Sequence, residues 1–401
     1  MRICVVTRGK AITPILLNVP IDKNVHKIAE HIVQMGHIVD VISTAPGTKV
    51  STSYNVWSIY ISILTNKNIF THSINRIRMS FAIARKLKEL LKRNDYDAIL
   101  FYAPAPAFLS FLINGKLPSS VFICGNPISA SSEPKQIRQE WSDSKLASAG
   151  SIFLHKRVLR KVDKIIMYSH TLKEQFSKFF DLEPSKSCVI PPGVDTSLFT
   201  PEKKPAQLQE KWGLQDDDFV IMCIGGITPR KNQFSLVKAL PKLARTYPRI
   251  KLMLVGSIIS NEYYRRIKNC IKDRNLEKYV VFTGTVYFSG ISKYYNMADV
   301  FVLISIAEGL PRVLLEAMSC GVPCIASSIP QNKEVAKERD EVIFVDPFDI
   351  DSIASAIGNL LSDNTLRKII GERGRKTAIK YFDWKIIAAQ TINLIRDIQS
   401  K

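Results

Sequence analysis

The sequence predicts an α/β protein of two similar domains, each an open, doubly wound parallel sheet flanked by helices. Three observations carry this expectation. The length of 401 residues suits two domains of roughly 200 residues each. Short apolar runs alternate with helical segments along the whole chain, the pattern of parallel sheets. The series strand, loop, helix, strand opens near the start and opens again soon after residue 215. Hydrophobic residues at 46% and charged residues at 23% leave enough apolar material for two cores.

In the first half, Ile3-Cys-Val-Val6 and Val39-Asp-Val-Ile42 read as strands. Between them Val25, Ile28, Ala29, Ile32 and Val33 mark one face of a helix over 25–35, which Gly36 stops. A basic amphipathic helix follows near 74–93, then strands at 98–102, 121–124 and 164–168. The uncharged stretch Ala98 to Gly115 contains Pro104 and Pro106 and reads as strand, loop and short helix, not as a membrane span. Pro191-Pro-Gly-Val-Asp195 and the polar run Thr200 to Gln209 read as a linker, so the first domain is expected over 1–200 and the second over 201–380. The second half repeats the plan, with strands at 219–224, 251–255, 280–282, 300–304, 324–326 and 342–345. The chain crossings near residue 200 and over 376–384 are the expected hinges for closure over a ligand.

The net charge of +20 divides unevenly: residues 1–200 hold 26 Lys and Arg against 14 Asp and Glu, the remainder 30 against 22. Such an excess suits nucleic acid, anionic lipid headgroups or phosphorylated substrates alike. No nucleic-acid recognition motif or aromatic-basic platform accompanies it, so no specific nucleic acid is expected. Seven scattered cysteines in apolar surroundings read as free thiols, and no metal-ligand spacing is present, so no metal is expected. Met1 to Val6 is too short for a leader peptide, which points to a cytoplasmic protein. Arg76, Arg78, Arg85, Lys86, Lys88, Lys92 and Arg93 form either a solvated helix face or a peripheral contact with anionic membrane on its cytoplasmic side.

The chemistry concentrates in two segments of the second half. Glu308-Gly-Leu-Pro-Arg-Val-Leu-Leu-Glu316 directly follows a strand, and Pro311 starts a helix that is apolar on nearly every side apart from Glu316. A carboxylate buried there needs a partner, whether a ligand diol or an Arg from a neighbouring element. Glu308 belongs to the loop at the helix mouth, where free amides attract anions. Gly225-Gly-Ile-Thr-Pro-Arg-Lys231 takes a strand into glycines, which let backbone approach a ligand closely, and then into two cations suited to a diphosphate. The alternative is a tight turn with solvated cations.

These segments resemble the glycosyltransferase family-four (group 1) signature, whose mark is two glutamates separated by seven residues, here Glu308 and Glu316. Cys320-Gly-Val-Pro323, Val189-Ile-Pro-Pro-Gly-Val-Asp195 with Phe199, and Phe282-Thr-Gly-Thr285 resemble the family as well. The resemblance spans roughly residues 160 to 400 and implies the GT-B fold, two Rossmann-like doubly wound domains facing across a cleft. It implies a retaining, metal-independent transfer of sugar from a nucleotide-diphosphate-sugar to an acceptor hydroxyl, with no cofactor beyond that co-substrate. A glycan or lipid-linked acceptor is the expected partner, in polysaccharide or glycolipid synthesis.

By the same resemblance Glu308 contacts the donor sugar, Glu316 the ribose hydroxyls and Lys231 the diphosphate, with Glu308 and Lys231 as catalytic candidates. Arg230, Gly225, Gly226, Gly309, Leu310 and Pro311 complete the donor grip, and Thr285, Val286 and Tyr287 hold the base. Asn126 is an acceptor-side candidate. Helix 384–399 is expected to cross back onto the first domain. The chain departs from the family at Gly226, where Arg is frequent, at Thr7 to Pro14 in place of a glycine-rich loop, and at Cys124-Gly-Asn-Pro127, which lacks the usual histidine. Those departures keep open a catalytically degenerate GT-B subunit that binds nucleotide sugar or a partner enzyme. A nucleotide-sugar 2-epimerase shares the fold but fits the glutamate pair less well.

Overall fold

The computed structural model describes residues 1–7, 23–44, 52–59, 69–124, 145–338 and 340–400. The chain divides into two compact units, the first formed by the described parts of 1–131, 141–192 and 384–401, the second centred on 193–383.

The first unit holds β1 (Arg2–Val6), β2 (Ile38–Ser43), β3 (Asn55–Ser58), β4 (Ala98–Phe101), β5 (Ser119–Cys124), β6 (Lys164–Met167) and β7 (Ser187–Val189). They pair in parallel in the order β3-β2-β1-β4-β5-β6-β7. Side chains in a strand alternate between faces, and the two cores follow that rule. Cys4, Val6, Ile99, Phe101, Phe122 and Cys124 enter one core beneath the helices Ile69–Arg93, Pro104–Asn114, Lys145–Lys161 and His170–Phe180. Ile3, Val5, Ala98, Leu100, Val121 and Ile123 enter the other, beneath the helix Lys23–Gln34 and the last helix, Trp384–Gln399. Trp384, Ile387, Ala388, Ile392 and Ile395 bury the inner face of that last helix in the first unit's core. β3 and β7 go beyond the strands expected from the sequence. Asp40 of β2 is buried and fully engaged, accepting from Arg2 Nε, Asn55 Nδ2, Trp57 Nε1 and Tyr96 Oη, which holds β3 on its edge.

The second unit holds β8 (Phe219–Ile224), β9 (Ile250–Val255), β10 (Val280–Gly284), β11 (Val300–Leu303), β12 (Cys324–Ser327) and β13 (Ile343–Val345). Their order is β10-β9-β8-β11-β12-β13, again all parallel. From β8 the chain steps outward to β9 and β10, then returns to lay β11 on the other side of β8. The loops after β8 and β11 therefore diverge, and the crevice between them is the switch point where open parallel sheets bind ligands.

The first unit's leading part ends at residue 192, within the expected linker 191–195 and ahead of the boundary expected near 200. Phe199 is fully buried in the second unit, ring to ring with Phe288 and Tyr295, and its carbonyl accepts from Ser319 Oγ and Arg375 Nη1. Residues 206–209, expected as linker, begin the helix Ala206–Trp212, which makes about two turns. Of the expected hinge over 376–384, residues up to Phe382 continue the helix Asn364–Phe382; the extended Asp383 ends it, and the chain crosses back at Trp384. Among the described residues no helix is long and apolar enough to cross a membrane.

Candidate active site

Three loops meet at the carboxyl edge of the second sheet. β8 runs into Gly225, whose φ of 155° is a backbone state that side chains disfavour. A Cβ there would lie 3.2 Å from Cε of Lys231, so the missing side chain lets the lysine stem lie flat against the backbone. The next loop, after β9, turns at Gly256, where a Cβ would fall 2.2 Å from the Gly225 carbonyl oxygen. The two strand ends therefore touch backbone to backbone. Ile227 and Ile258 continue that contact as an isolated bridge.

Asn232 takes a left-handed conformation (φ 54°) and starts the helix Gln233–Thr246. Its Nδ2 donates 2.7 Å to the Pro347 carbonyl and its Oδ1 accepts from Ser235 Oγ, so the cation-bearing turn is tied at its end. At its start, Gln233 Nε2 donates to the Gly226 carbonyl at 2.9 Å. The Arg230 carbonyl accepts from Ile306 N at 2.8 Å, which joins this turn to the loop after β11.

Across the switch point Lys231 Nζ donates 2.6 Å to Oε1 of Glu308, and Arg230 Nη1 donates to Oε2 at 3.2 Å and to the Ala307 carbonyl at 2.9 Å. Glu308 and Lys231 are only 8% and 11% exposed at the side chain. Burial alone would raise the Glu308 carboxyl, but the charges of Lys231 and Arg230 outweigh it and hold the group below its usual value. The cations expected as solvated in the plainer reading are thus gathered on one carboxylate, and the cluster keeps one net positive charge. Cys223 lies nearby at the end of β8, its thiol pushed up to about 12 by burial and so inert at neutral pH.

Past Glu308, Gly309 and Leu310 are half-buried and lead to Pro311, which caps the helix Arg312–Ser319 without a side-chain hydrogen bond. The amides of Leu314 and Leu315 donate to the Pro311 carbonyl, and the positive end of that helix faces the same edge. Glu316 lies one turn further in and is buried. Its Oε2 accepts 2.8 Å from the hydroxyl of Tyr295, a residue with no exposed surface. Burial, and next the Glu316 charge, push the Tyr295 hydroxyl well above its ordinary range, so it stays a donor.

Thr285, Val286 and Tyr287 follow β10 at the same sheet edge but two strands from β8, with Thr285 and Tyr287 exposed and Val286 half-buried. Asn126 and the segments 8–14 and 125–127 lie outside the described residues. Sequence reasoning missed Tyr295, Gly256 and Asn232. Among the described residues no group of three His, Cys, Asp or Glu side chains is placed to hold a metal.

Comparison with known proteins places this geometry. Residues 206–377 match the family model for glycosyl transferases group 1, and residues 23–198 match that for glycosyltransferase family 4. Over 322 residues the chain is 29% identical to the GDP-mannose-dependent alpha-(1-6)-phosphatidylinositol monomannoside mannosyltransferase of Mycolicibacterium smegmatis, covering 78% of this chain and 80% of that one. Over 224 residues it is 31% identical to the Escherichia coli UDP-Gal:alpha-D-GlcNAc-diphosphoundecaprenol alpha-1,3-galactosyltransferase, 55% of this chain and 56% of the other. Its fold is similar to that of sucrose-phosphate synthase from Thermosynechococcus elongatus, with a TM-score of 0.77 at 21% identity over 100% of this chain and 99% of that one. Anabaena HepE, solved in complex with UDP-glucose, gives 0.72 at 19% identity over 99% and 100%. With both halves matched, and with the glutamate pair on the loop and helix that follow β11, the chain belongs to the group 1, family-four glycosyltransferases of GT-B fold.

Proposed function

We propose that the chain transfers a sugar from a nucleotide-diphosphate-sugar to a hydroxyl of a lipid-linked or glycolipid acceptor, with retention at the anomeric carbon and without a metal. The observation that carries this reading is the Lys231–Glu308–Arg230 cluster across the switch point. A diphosphate entering there meets a lysine point charge, an arginine fork and the positive end of the helix Arg312–Ser319, which together supply the positive charge that its departure requires. The lipid-linked class is favoured by two relatives whose names carry a phosphatidylinositol mannoside and a diphosphoundecaprenol acceptor.

In this mechanism the acceptor oxygen bonds to the anomeric carbon on the face from which the diphosphate leaves. The carbon–oxygen bond to phosphate breaks with its electron pair on the phosphate oxygen, which takes the acceptor's proton. As the diphosphate draws Lys231 and Arg230, Glu308 turns its oxygens to the sugar hydroxyls. Glu316, oriented by Tyr295, accepts from the ribose diol, and the backbone of 285–287 holds the base.

The test is a thermal-shift panel of UDP-, GDP- and ADP-sugars on the wild type and Glu316→Gln, followed by NMR of the product's anomeric configuration. A donor at 100 times its dissociation constant stabilises the fold by about 2.7 kcal/mol. A shift for one nucleotide class, lost in the variant, with a retained anomeric centre, is the expected result. Folded protein that responds to no donor would leave the degenerate subunit that binds a partner enzyme, and an inverted product would remove the retaining mechanism.

A further inference from the structure

A cavity of about 320 Å³ opens to solvent in the second unit, between the helix Gln233–Thr246 and the helix Asn261–Asp273. Three cations line it, Lys238, Arg266 and Arg274, against one acid, Asp273. Two of them converge on one ring: Lys238 Nζ lies 4.7 Å from the centre of the half-buried Phe234 ring, and the Arg266 guanidinium carbon 5.3 Å from it. A ring attracts a cation without cancelling its charge. Among the described residues none of the three cations has an ion pair or a side-chain hydrogen bond. Lys242, one turn further along the same helix as Lys238, is by contrast paired with Asp351. Like charges gathered in a recess without a counter-ion repel one another, and an anion that enters removes the repulsion.

The rest of the lining narrows the anion. The volume is at the small end of ligand pockets and admits one phosphate on a body of sugar size. Asn269 offers an amide and Asp273 a carboxylate with no cation of its own. Sugar hydroxyls satisfy both groups, whereas a second phosphate would meet the carboxylate with repulsion. We propose that this cavity binds a sugar phosphate, its phosphate on Lys238, Arg266 and Arg274 and its hydroxyls on Asn269 and Asp273, and that its occupancy adjusts the grip on the donor.

The link to the donor site is the origin of the two helices. One starts at Asn232, directly after Lys231; the other follows the loop of Gly256 and is capped by Ser260, whose Oγ accepts from Tyr263 N at 3.3 Å. The amide of Phe234 donates 2.8 Å to the Tyr263 hydroxyl and so ties the first turns together. Phe234 thus belongs to the cavity wall through its ring and to the donor edge through its backbone. A phosphate that draws Lys238 and Arg266 together loads the two helices that carry the cation turn and its neighbouring loop. The binding rests on the cavity alone; only its effect on the donor rests on the transferase reading above.

Cys270 supplies the assay, since it lines the cavity and is half-buried; Cys188, half-buried in the first unit, is the internal control. The rate of iodoacetamide alkylation at each, read by mass spectrometry on the full chain, is compared with glucose 6-phosphate, inorganic phosphate and glucose. Glucose 6-phosphate at four times its dissociation constant should slow Cys270 about fivefold by mass action and leave Cys188 unchanged. Inorganic phosphate should protect less and glucose not at all. Lys238→Ala with Arg266→Ala should weaken binding about 100-fold, about tenfold for each charged hydrogen bond, with the unfolding midpoint unchanged. Lys231→Met should keep the protection. No protection by either phosphate, protection that survives the double variant, or protection lost in Lys231→Met would overturn the site; glucose 6-phosphate no better than inorganic phosphate would overturn the sugar. The affinity for whichever nucleotide sugar stabilises the fold should change about fivefold when the cavity is filled, and a change within twofold would overturn the coupling. Protection of Cys270 reads out even if no donor binds, which separates a failure here from a failure of the transferase reading.

Discussion

Replacing Lys231 with methionine removes the charge while keeping the stem that lies against Gly225, so no cavity opens at the glycine. Breaking a pair this deeply buried costs about 3–5 kcal/mol when the remaining ion is left alone. Here Arg230 Nη1 stays within 3.2 Å of the orphaned Glu308, so the cost should fall to about 1–3 kcal/mol. For a unit of this size each kcal/mol moves the midpoint by about 2–4 °C, which predicts a loss of about 2–12 °C. Ligand binding gives the sharper readout. A hydrogen bond to a charged group contributes about 1.5–3 kcal/mol, so the nucleoside diphosphate should bind about 10- to 150-fold more weakly. The matching nucleoside, which lacks the phosphates, should stay within about twofold, a change of under 0.5 kcal/mol. Isothermal titration with UDP, GDP and ADP against their nucleosides measures both. Equal losses for nucleoside and diphosphate would show that Lys231 shapes the pocket as a whole, and the assigned role would be wrong.

Gly256→Ala would place a Cβ 2.2 Å from the Gly225 carbonyl oxygen at a φ of 149°, so clash and backbone strain add. The expected cost is about 3 kcal/mol or more, seen as a lower unfolding midpoint, and a variant melting with the wild type would contradict the backbone contact. Acid should also erode stability through Glu308. Its folded pKa is held below the unfolded value, so its contribution is complete above about pH 4.3 and is lost as pH falls through the folded value. The stability difference between wild type and Glu308→Gln, from urea unfolding, should therefore shrink from pH 6 to pH 3. A difference that stays constant over that range would mean that the pair does not hold the carboxylate ionised.

Much of this architecture was legible because its signals are local. A run such as Phe219–Ile224 buries residues on both faces and so reads as a strand without reference to anything else. Glu308 and Glu316 stood out because a charge inside an apolar helix, and another at its mouth, demand an explanation from a few residues of context. β3 and β7 escaped because Asn55–Ser58 and Ser187–Val189 are short and partly polar, and β3 is held by a buried aspartate on another strand. Tyr295 gave no sign of its role: in an apolar helix face it looks like core, and its carboxylate partner is 21 residues further on. Gly256 was equally silent, since its need arises from Gly225 on the neighbouring strand. The boundary was expected near 200 because Thr200 to Gln209 is polar, whereas Phe199 just before it is already buried in the second unit, which begins at 193.

The helix Trp384–Gln399 makes the first unit discontinuous in sequence, and this sets an order of assembly. The second unit lies between the two crossings, and its sheet is complete once residue 345 has been made. The first unit, although begun first, lacks Trp384, Ile387, Ala388, Ile392 and Ile395 until the whole second unit has been made. Until then that face of its seven-stranded sheet has the helix Lys23–Gln34 over it but not the last helix. The usual rule that N-terminal domains fold first on the ribosome is reversed in this chain. A fragment ending near residue 200 would keep that face only partly covered and be prone to aggregate, whereas residues 193–383 form a continuous segment with a core of their own.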